Sequence, residues 1–421
     1  MIFPLLLMTI SKSTSTSTLS NNAPSVVRIV NTDGKFSLTV NGKPYFIKGA
    51  GGTGSMSLLA ECGGNSVRTW GADQLKQTLD EAQKHGIKVT AGIWLQHSGS
   101  FDYSDKAAVK RQFDASLEAV KEFKDHPALL MWAFGNEMES YGNADDPNVY
   151  IAINDIAKAA KEIDPNHPTM TVTAEIGAGR VPGINKYCPD IDIMGINSYG
   201  GAASVAERYG KAGGKKPYVI TEFGPLGQWE VAKTEWQAPI EQTSTEKMET
   251  YRTAYKNAVL SNPNLCLGAY AFLWGNKQEA TSTWFGMLLP DGTKVGPVDV
   301  MTEFWTGKPP ANLCPLIKSL KIDTTTQLSK GQVVNAKLEA TDPNGDPLTV
   351  KWVLVGETEV YLSGGQDEKV PPKHPQALLK HSQLDATFKM PNEKGGYRIF
   401  AYVYDGKGGA AVANIPINVN D

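Results

Sequence analysis

From about residue 45 to residue 306, the sequence alternates between short apolar runs and amphipathic helical segments. Apolar runs of this kind, recurring between helices, are typical of parallel strands that are buried on both faces. They lie at residues 45–49, 66–69, 89–95, 129–135, 169–173, 191–197, 218–222 and 267–273. About eight strand–helix units in roughly 260 residues match a (β/α)8 barrel. The sequence therefore predicts an α/β fold, a TIM barrel.

The helical segments between these runs have the period that this fold requires. Segment 106–124 places Val109, Phe113 and Leu117 on one face, after an aspartate that suits an N-cap. Further segments with the same period lie at residues 74–85, 148–163 and 245–261.

The two ends of the chain have a different pattern from the predicted barrel. Residues 26–47 contain Asp-Gly and Asn-Gly turns between short strands, which predicts an N-terminal hairpin and places the barrel at residues 26–308. A proline-rich linker follows, and residues 315–421 contain about seven short strands without a helical period. We expect a small all-β domain there, an immunoglobulin-like sandwich.

A dinucleotide-binding sheet is the alternative fold. Gly49, Gly51 and Gly54 fit the spacing GxGxxG directly after the first apolar run. However, the next predicted strand ends in Arg68-Thr69-Trp70 and not in the acidic residue that would bind a ribose. The barrel is the better interpretation.

Composition excludes several classes of function. The 41 basic and 44 acidic residues give a net charge of −3, which does not favour a nucleic-acid partner. The four cysteines form no CxxC pair and histidine is scarce, so no metal or other cofactor is implied. No segment predicts a membrane span, and we expect a monomer.

The first residues predict export. Residues 2–10 form an apolar run that is too short to cross a bilayer, and residues 11–25 are rich in serine and threonine. We expect residues 1–25 to be a leader and the protein to be secreted, periplasmic or at the cell surface.

Two glutamates follow predicted barrel strands directly. Glu137 comes after the fourth apolar run and Glu222 closes the seventh. Active sites of these barrels lie at the carboxyl ends of the strands, and glycoside hydrolysis needs two carboxyl groups that face one cleft. The alternative for either glutamate alone is that it begins a helix or pairs with an arginine.

The segments "WAFGNE" (132–137) and "VITEFG" (219–224) resemble the signature of the clan A retaining barrel glycosidases. The resemblance implies that Glu137 is the acid/base and Glu222 the nucleophile. It further implies that Asn136 binds the sugar 2-hydroxyl.

Other strand ends extend this resemblance. Tyr199, in "GINSYG" with Asn197, matches a tyrosine that hydrogen-bonds the nucleophile. Trp274 matches the tryptophan that forms the floor of the sugar-cleaving subsite, and Arg68 matches an arginine that holds the nucleophile ionised.

Residues on the predicted loops complete the candidate substrate site. Trp70 and Trp229 are expected to stack on sugar rings, because flat aromatic side chains suit the apolar faces of sugars. His97 either hydrogen-bonds substrate or has a structural role. Since the proposed catalytic residues all precede residue 275, we expect the second domain to be separable, and a chain that ends near Pro309 to keep hydrolysis of small aryl glycosides.

The family within the clan follows from two further resemblances. The lead-in "DGKFSLTVNGKPYFIKGAGG" resembles the entry to family 2 barrels. A compact barrel with a C-terminal immunoglobulin-like domain is similar to the family 158 endo-β-1,3-glucanases.

The main functional prediction is therefore an endo-β-1,3-glucanase that acts on a β-glucan polysaccharide or oligosaccharide. The alternatives are another β-glycosidase or a transglycosylase of the clan, such as a β-galactosidase, a β-mannanase or a glucanosyltransferase. A non-catalytic carbohydrate-binding protein of the cell surface is the alternative from another class.

Overall fold

The computed structural model of the protein describes residues 23–140, 146–362, 365–366 and 368–421. A closed barrel of eight parallel strands is followed by two further β-sheets. The prediction of a TIM barrel followed by a small β domain is confirmed. The predicted leader lies, up to residue 22, outside the described residues.

A three-stranded antiparallel meander precedes the barrel. Its strands are β1 (Val27–Thr32), β2 (Lys35–Val40) and β3 (Lys43–Tyr45). Because Tyr45 pairs with Leu38 of β2, the first barrel strand begins two residues later than predicted, at Ile47.

The barrel strands follow one another around the barrel in chain order, and the last pairs with the first. They are β4 (Ile47–Gly51), β5 (Ser66–Arg68), β6 (Lys88–Ile93), β7 (Leu129–Asn136), β8 (Thr169–Ala174), β9 (Ile193–Asn197), β10 (Tyr218–Phe223) and β11 (Cys266–Phe272).

The helices surround the barrel, and several have side-chain caps. Asp105 accepts hydrogen bonds from two backbone N–H groups at the start of its helix, and Thr243 forms a capping box with Glu246. The helices are α1 (Met56–Glu61), α2 (Leu75–Lys84), α3 (Lys106–Phe123), α4 (Pro147–Ile163), α5 (Arg180–Tyr187), α6 (Val205–Lys211), α7 (Ser244–Ala254) and α8 (Gly296–Thr306). Tyr255–Leu260 continues α7 as a π-helix.

The meander covers the amino end of the barrel. Val27, Leu38 and Val40 share a buried apolar cluster with residues of the barrel strands. The backbone N–H groups of Val27 and Phe36 donate to carbonyls in loops that precede β8 and β11. The carboxyl end of the barrel is therefore the end available for a ligand site.

The C-terminal β domain has its own apolar core, which includes Trp352, Phe388 and Ile399. One sheet has the order β13-β15-β18-β17, and the other has the order β12-β20-β19-β16, with β14 also paired to β20. These strands are β12 (Lys294–Val295), β13 (Leu316–Ile322), β14 (Gln327–Ser329), β15 (Val333–Thr341), β16 (Thr349–Gly356), β17 (Leu378–His381), β18 (Asp385–Lys389), β19 (Gly395–Tyr404) and β20 (Gly409–Asn420).

The junction between barrel and β domain is extensive. Strand β12 precedes α8 in the barrel part of the chain, yet it pairs in parallel with β20 of the β domain. Arg398 is 1% exposed, donates to the Pro239 carbonyl and also forms an ion pair with Glu357. The two parts thus share a sheet and buried polar contacts.

Within the described residues, every helix is too short or too polar to cross a lipid bilayer. All four cysteines are described, and all are buried free thiols.

Candidate active site

The two predicted carboxyl groups lie at the carboxyl end of the barrel and line one cavity of about 950 Å³. Glu222 belongs to β10, and Glu137 follows β7 directly. The backbone bends sharply there, because Gly135 and Glu137 have φ values of +74° and +54°. A non-glycine residue in this region is uncommon and is held there by its surroundings.

Glu222 accepts hydrogen bonds on both carboxylate oxygens. Its Oε1 accepts from Arg68 Nη1 at 3.0 Å and from Trp70 Nε1 at 2.8 Å. Its Oε2 accepts from the Tyr199 hydroxyl at 2.8 Å. Three donors and a paired cation stabilise the ionised form of this carboxyl group.

Arg68 connects the two strands that carry the glutamates. The residue is 1% exposed, and its Nη1 also donates to the Thr221 carbonyl at 2.9 Å. Its Nη2 donates to Asn136 Oδ1 at 2.6 Å. A buried guanidinium that is shared in this way fixes Glu222 and Asn136 relative to each other.

Glu137 has a different environment. Within the described residues, it accepts a hydrogen bond from Asn197 Nδ2 at 2.7 Å and forms no ion pair. Burial, with the negative charge of Glu222 as the second cause, raises the pKa of Glu137 to about 7. Glu137 is therefore the carboxyl group that can carry a proton near neutral pH, whereas Glu222 is the one paired with a guanidinium.

Asn136 is oriented by the same network. Its Oδ1 accepts from Arg68 and, at 3.1 Å, from Asn197 Nδ2. Asn197 is in turn held by Thr221 Oγ1, which donates to its Oδ1 at 2.7 Å. Because these bonds occupy the oxygen of Asn136, its amide N–H groups can donate to a ligand in the cavity.

The structure brings three predicted aromatic residues together at the cavity. Tyr199 and Trp229 form an edge-to-face pair with ring centroids 5.7 Å apart, and Trp229 is half exposed. Trp70 also lines the cavity, but its indole N–H is bound to the Glu222 carboxylate. Trp70 is therefore a partner of that carboxylate as well as a part of the cavity wall.

Trp274 is placed differently from the prediction, and His97 has the position of a structural residue, which was one of its two predicted roles. Trp274 is fully buried and donates to the Ser55 carbonyl, whereas Phe272 and Leu273 line the cavity at the end of β11. His97 lies outside the lining residues, where its Nε2 donates to the Asn136 carbonyl at 2.9 Å.

The glycine run after β4 explains the position of Trp274. A Cβ on Gly52 would come within 2.2 Å of the Trp274 carbonyl oxygen, and one on Gly54 within 2.8 Å of its ring. Gly54 belongs to the GxGxxG spacing, and a Cβ on its other two glycines would come within 2.4 Å of the Tyr270 ring (Gly49) and 3.0 Å of the Trp70 ring (Gly51). Close packing therefore accounts for the spacing without a dinucleotide.

Sequence reasoning missed several charged residues of the cavity. Arg180 Nε binds Glu139 at 2.7 Å, and Lys277 and Glu279 extend from the loop after β11. Gly365 of the β domain also lines the cavity. The usable signal was the charged stretch "NKQE" after the eighth strand.

A closed barrel with two strand-end glutamates at one cavity is the arrangement that the resemblance to clan A glycosidases implies. Residues 56–232 match the family described as "Glycosyl hydrolases family 2, TIM barrel domain", which is less than half of the chain. The prediction of a glycoside hydrolase barrel is confirmed by this match.

The relatives of known function are β-glucuronidases. The Paenibacillus borealis enzyme is 24% identical over 310 residues, which cover 64% of this chain and 48% of the relative. The human enzyme is 24% identical over 184 residues, which cover 39% of this chain and 26% of the relative. The chain thus spans between a quarter and a half of these relatives.

Solved structures resemble the chain in fold. The Bacteroides uniformis β-glucuronidase 2, covalently bound to cyclophellitol-6-carboxylate aziridine, covers 94% of this chain and 48% of its own, with a TM-score of 0.53 and 15% identity. The match to a family 2 β-galacturonidase from Eisenbergiella tayi, bound to galacturonate, covers 67% of this chain and 54% of that protein, with a TM-score of 0.53 and 15% identity.

These relatives correct the main functional prediction. The prediction of an endo-β-1,3-glucanase is wrong, because the similar proteins are β-glucuronidases, and the alternative of another β-glycosidase fits better. The error has a physical origin: the prediction rested on domain architecture, whereas specificity depends on loop side chains around the cavity.

Proposed function

We propose that this chain is a retaining β-glycosidase in which Glu222 is the nucleophile and Glu137 the acid/base. The observation that carries the proposal is the contrast between the two carboxyl groups. Glu222 has three hydrogen-bond donors including Arg68, whereas Glu137 has one donor and a raised pKa of about 7. A double displacement needs one ionised and one protonated carboxyl group at the same pH.

In the first step, a Glu222 oxygen attacks the anomeric carbon and forms an ester bond to the sugar. Glu137 donates its proton to the glycosidic oxygen as the bond to the leaving group breaks, so that the leaving group departs as a neutral alcohol. In the second step, the Glu137 carboxylate takes a proton from water, and the resulting hydroxide displaces Glu222 from the anomeric carbon.

The surrounding donors suit both steps. The Tyr199 hydroxyl and the Trp70 indole orient the Glu222 oxygens, so that little reorganisation is needed when one of them attacks. The Asn136 amide is directed by its bonds to Arg68 and Asn197 and is placed to donate to a sugar hydroxyl. His97 supports this residue through its backbone carbonyl.

A terminal β-linked uronic acid is the substrate class that we propose. Its support is the activity named for the relatives, β-glucuronidase, and for the β-galacturonidase of similar fold. Lys277 lines the cavity and supplies a positive charge that a sugar carboxylate can pair with, whereas Arg180 is already paired with Glu139.

The experiment is a panel of 4-nitrophenyl β-glycosides, namely the glucuronide, galacturonide, glucoside, galactoside and mannoside. We expect turnover of at least one uronide, with a β-configured first product by NMR. Glu303→Gln, on the outer surface of α8, is the matched control and should retain full activity. An α-configured first product would contradict the retaining mechanism, and exclusive turnover of neutral glycosides would contradict the substrate class.

Two finer features complete the proposal. The two sheets of the C-terminal domain, with their shared apolar core, support an immunoglobulin-like sandwich.

We also propose that the chain is a monomer, which light scattering of the purified protein tests.

A further inference from the structure

The connection between β16 and β17 of the β domain reaches the carboxyl end of the barrel. The Leu362 carbonyl accepts a hydrogen bond from Gln228 Nε2, and the Gly365 carbonyl accepts one from Lys277 Nζ, both at 2.5 Å. Tyr361 packs against the aromatic cluster of Phe272, Trp284 and Phe285. This connection is therefore part of the cavity wall.

Glu368, on the same connection, holds the barrel loop that follows β11. Its Oε2 accepts from the Ala280 backbone N–H at 2.8 Å, while its Oε1 accepts from the Leu362 N–H at 3.0 Å. Ala280 has a φ of +58°, and its neighbours Glu279 and Thr281 exchange two backbone hydrogen bonds. A carboxylate from the β domain thus stabilises a tight turn whose backbone an alanine rarely adopts.

The turn directs Glu279 into the cavity. Glu279 is 5% exposed and lines the cavity, and its Oε2 accepts no hydrogen bond from the described residues. Lys277 Nζ lies 3.9 Å from that oxygen, which is too long for a hydrogen bond. A buried carboxyl oxygen without a donor is costly, and the Glu279 carboxyl group as a whole borders the cavity, where a ligand can supply a donor.

Glu279, Glu222 and Tyr199 line the same cavity. Burial raises the pKa of Glu279 to about 7, and the negative charge of Glu222 contributes to this shift. Tyr199, which donates to Glu222, is also within reach of the Glu279 charge. A sugar bound for attack by Glu222 would therefore present its ring hydroxyls to Glu279.

We propose that Glu279 binds a ring hydroxyl of the sugar held at Glu222, and that Glu368 of the β domain positions it through the Ala280 turn. This inference rests on the proposed function. Glu279 is thereby a specificity-determining residue, and the β domain is a part of the active site.

The test compares the wild-type protein with Glu279→Gln on the best-cleaved 4-nitrophenyl glycoside and on its 3-deoxy and 4-deoxy analogues. In the wild type, loss of the bound hydroxyl should lower kcat/KM by about 10- to 100-fold, as expected for a hydrogen bond to a charged group. In Glu279→Gln, the same deletion should cost less than about threefold, because the strong acceptor is already absent. Equal losses in both proteins for both analogues would overturn the proposal.

Glu368→Ala and Glu368→Gln test the positioning role. In Glu368→Ala, as in Glu279→Gln, deleting the substrate hydroxyl should lower kcat/KM by less than about threefold. In Glu368→Gln, which retains an oxygen for the Ala280 N–H, the deletion should again cause most of the loss seen in the wild type. A merely structural role would lower turnover of parent and deoxy substrates by the same factor, and that result would contradict positioning.

Two further measurements separate the possible failures. If the wild type cleaves no glycoside of the panel, the proposed function fails. The inference on Glu279 is then tested by calorimetric binding of glucuronic and galacturonic acid, and equal affinities of wild type and Glu279→Gln would overturn it. Thermal unfolding should show no loss of stability in Glu279→Gln, since an amide removes a buried charge without a close partner.

Discussion

Each end of the barrel contains a buried polar network, and the two networks differ in whether hydrogen-bond donors and acceptors remain available for a ligand. At the amino end, Ser25 Oγ donates to the Leu129 carbonyl and lies 3.1 Å from His167 Nε2. Asp164 Oδ2 accepts from His167 Nδ1 at 2.8 Å and from Trp132 Nε1 at 2.7 Å. Serine, histidine and aspartate in this order are the residue types of a hydrolytic triad.

The amino-end network nevertheless has the properties of a structural element. Ser25, His167 and Asp164 are each at most 4% exposed, and they lie below the meander, away from the cavity. At the carboxyl end, by contrast, Asn136 and Glu279 line a cavity, and no described residue donates a hydrogen bond to Glu279 Oε2. A candidate site therefore differs from a buried network less in its residue types than in two other properties. It is accessible from a cavity, and it retains hydrogen-bond donors and acceptors for a ligand.

Among the substitutions that test this comparison, substitution of Glu222 should have the largest effect on kcat. Glu222→Ala removes the attacking oxygen, so kcat should fall by about 10⁴-fold or more for every substrate. Azide should partly restore turnover from the vacated face and give a glycosyl azide of inverted configuration, which NMR detects. Glu303→Gln is the control, and residual activity within about tenfold of the wild type would exclude Glu222 as the nucleophile.

Substitution of Glu137 should have an effect that depends on the leaving group. Glu137→Ala should lower kcat/KM about 10²- to 10⁴-fold for alkyl glycosides, but far less for 2,4-dinitrophenyl glycosides, which need little protonation. Added azide should give a product of retained configuration. An inverted azide product from this variant would show that the two roles are assigned the wrong way round.

The amino-end network should affect stability and leave catalysis unchanged. Asp164→Ala deprives buried donors of Trp132 and His167 of their acceptor and should lower the free energy of unfolding by about 3 kcal/mol. Urea denaturation measures this change, and Asp114→Ala, on the exposed face of α3, should cost less than about 0.5 kcal/mol. If kcat of folded Asp164→Ala fell by more than about tenfold, the amino-end network would not be purely structural, which would contradict this prediction.

The pH dependence should sharpen the contrast at the carboxyl end. Because the pKa of Glu137 is raised to about 7, its proton is present below that pH and is lost above it. We expect kcat/KM to decrease about tenfold per pH unit above this value. This decrease of kcat/KM at high pH should disappear in Glu137→Gln assayed with 2,4-dinitrophenyl glycosides. If the decrease persists in that variant, a group other than Glu137 titrates.

The strand-end glutamates could be predicted because local pattern determines their placement. Glu137 and Glu222 follow apolar runs directly, and the topology of a barrel brings the carboxyl ends of β7 and β10 together. Arg68 and Tyr199 were predictable for the same reason, since each ends or follows a barrel strand.

The remaining wall of the cavity could not be predicted, because distant segments build it. Glu279 acquires its position from Glu368, which lies 88 residues away from Ala280 in the chain. Trp274 was expected to face the sugar, but the side-chain direction at the end of β11 depends on its packing against Gly52 and Gly54. No local pattern records such contacts.

The pairing of β12 with β20 has a consequence for how the molecule unfolds. The strand Lys294–Val295 belongs to the barrel part of the chain, and its partners Gly409 and Ala410 belong to the last strand of the β domain. Separating the two parts therefore breaks a continuous ladder and uncovers the apolar contacts of Leu289 with Phe400. Melting of either part removes a sheet partner from the other, so calorimetry should record one cooperative transition for the whole chain.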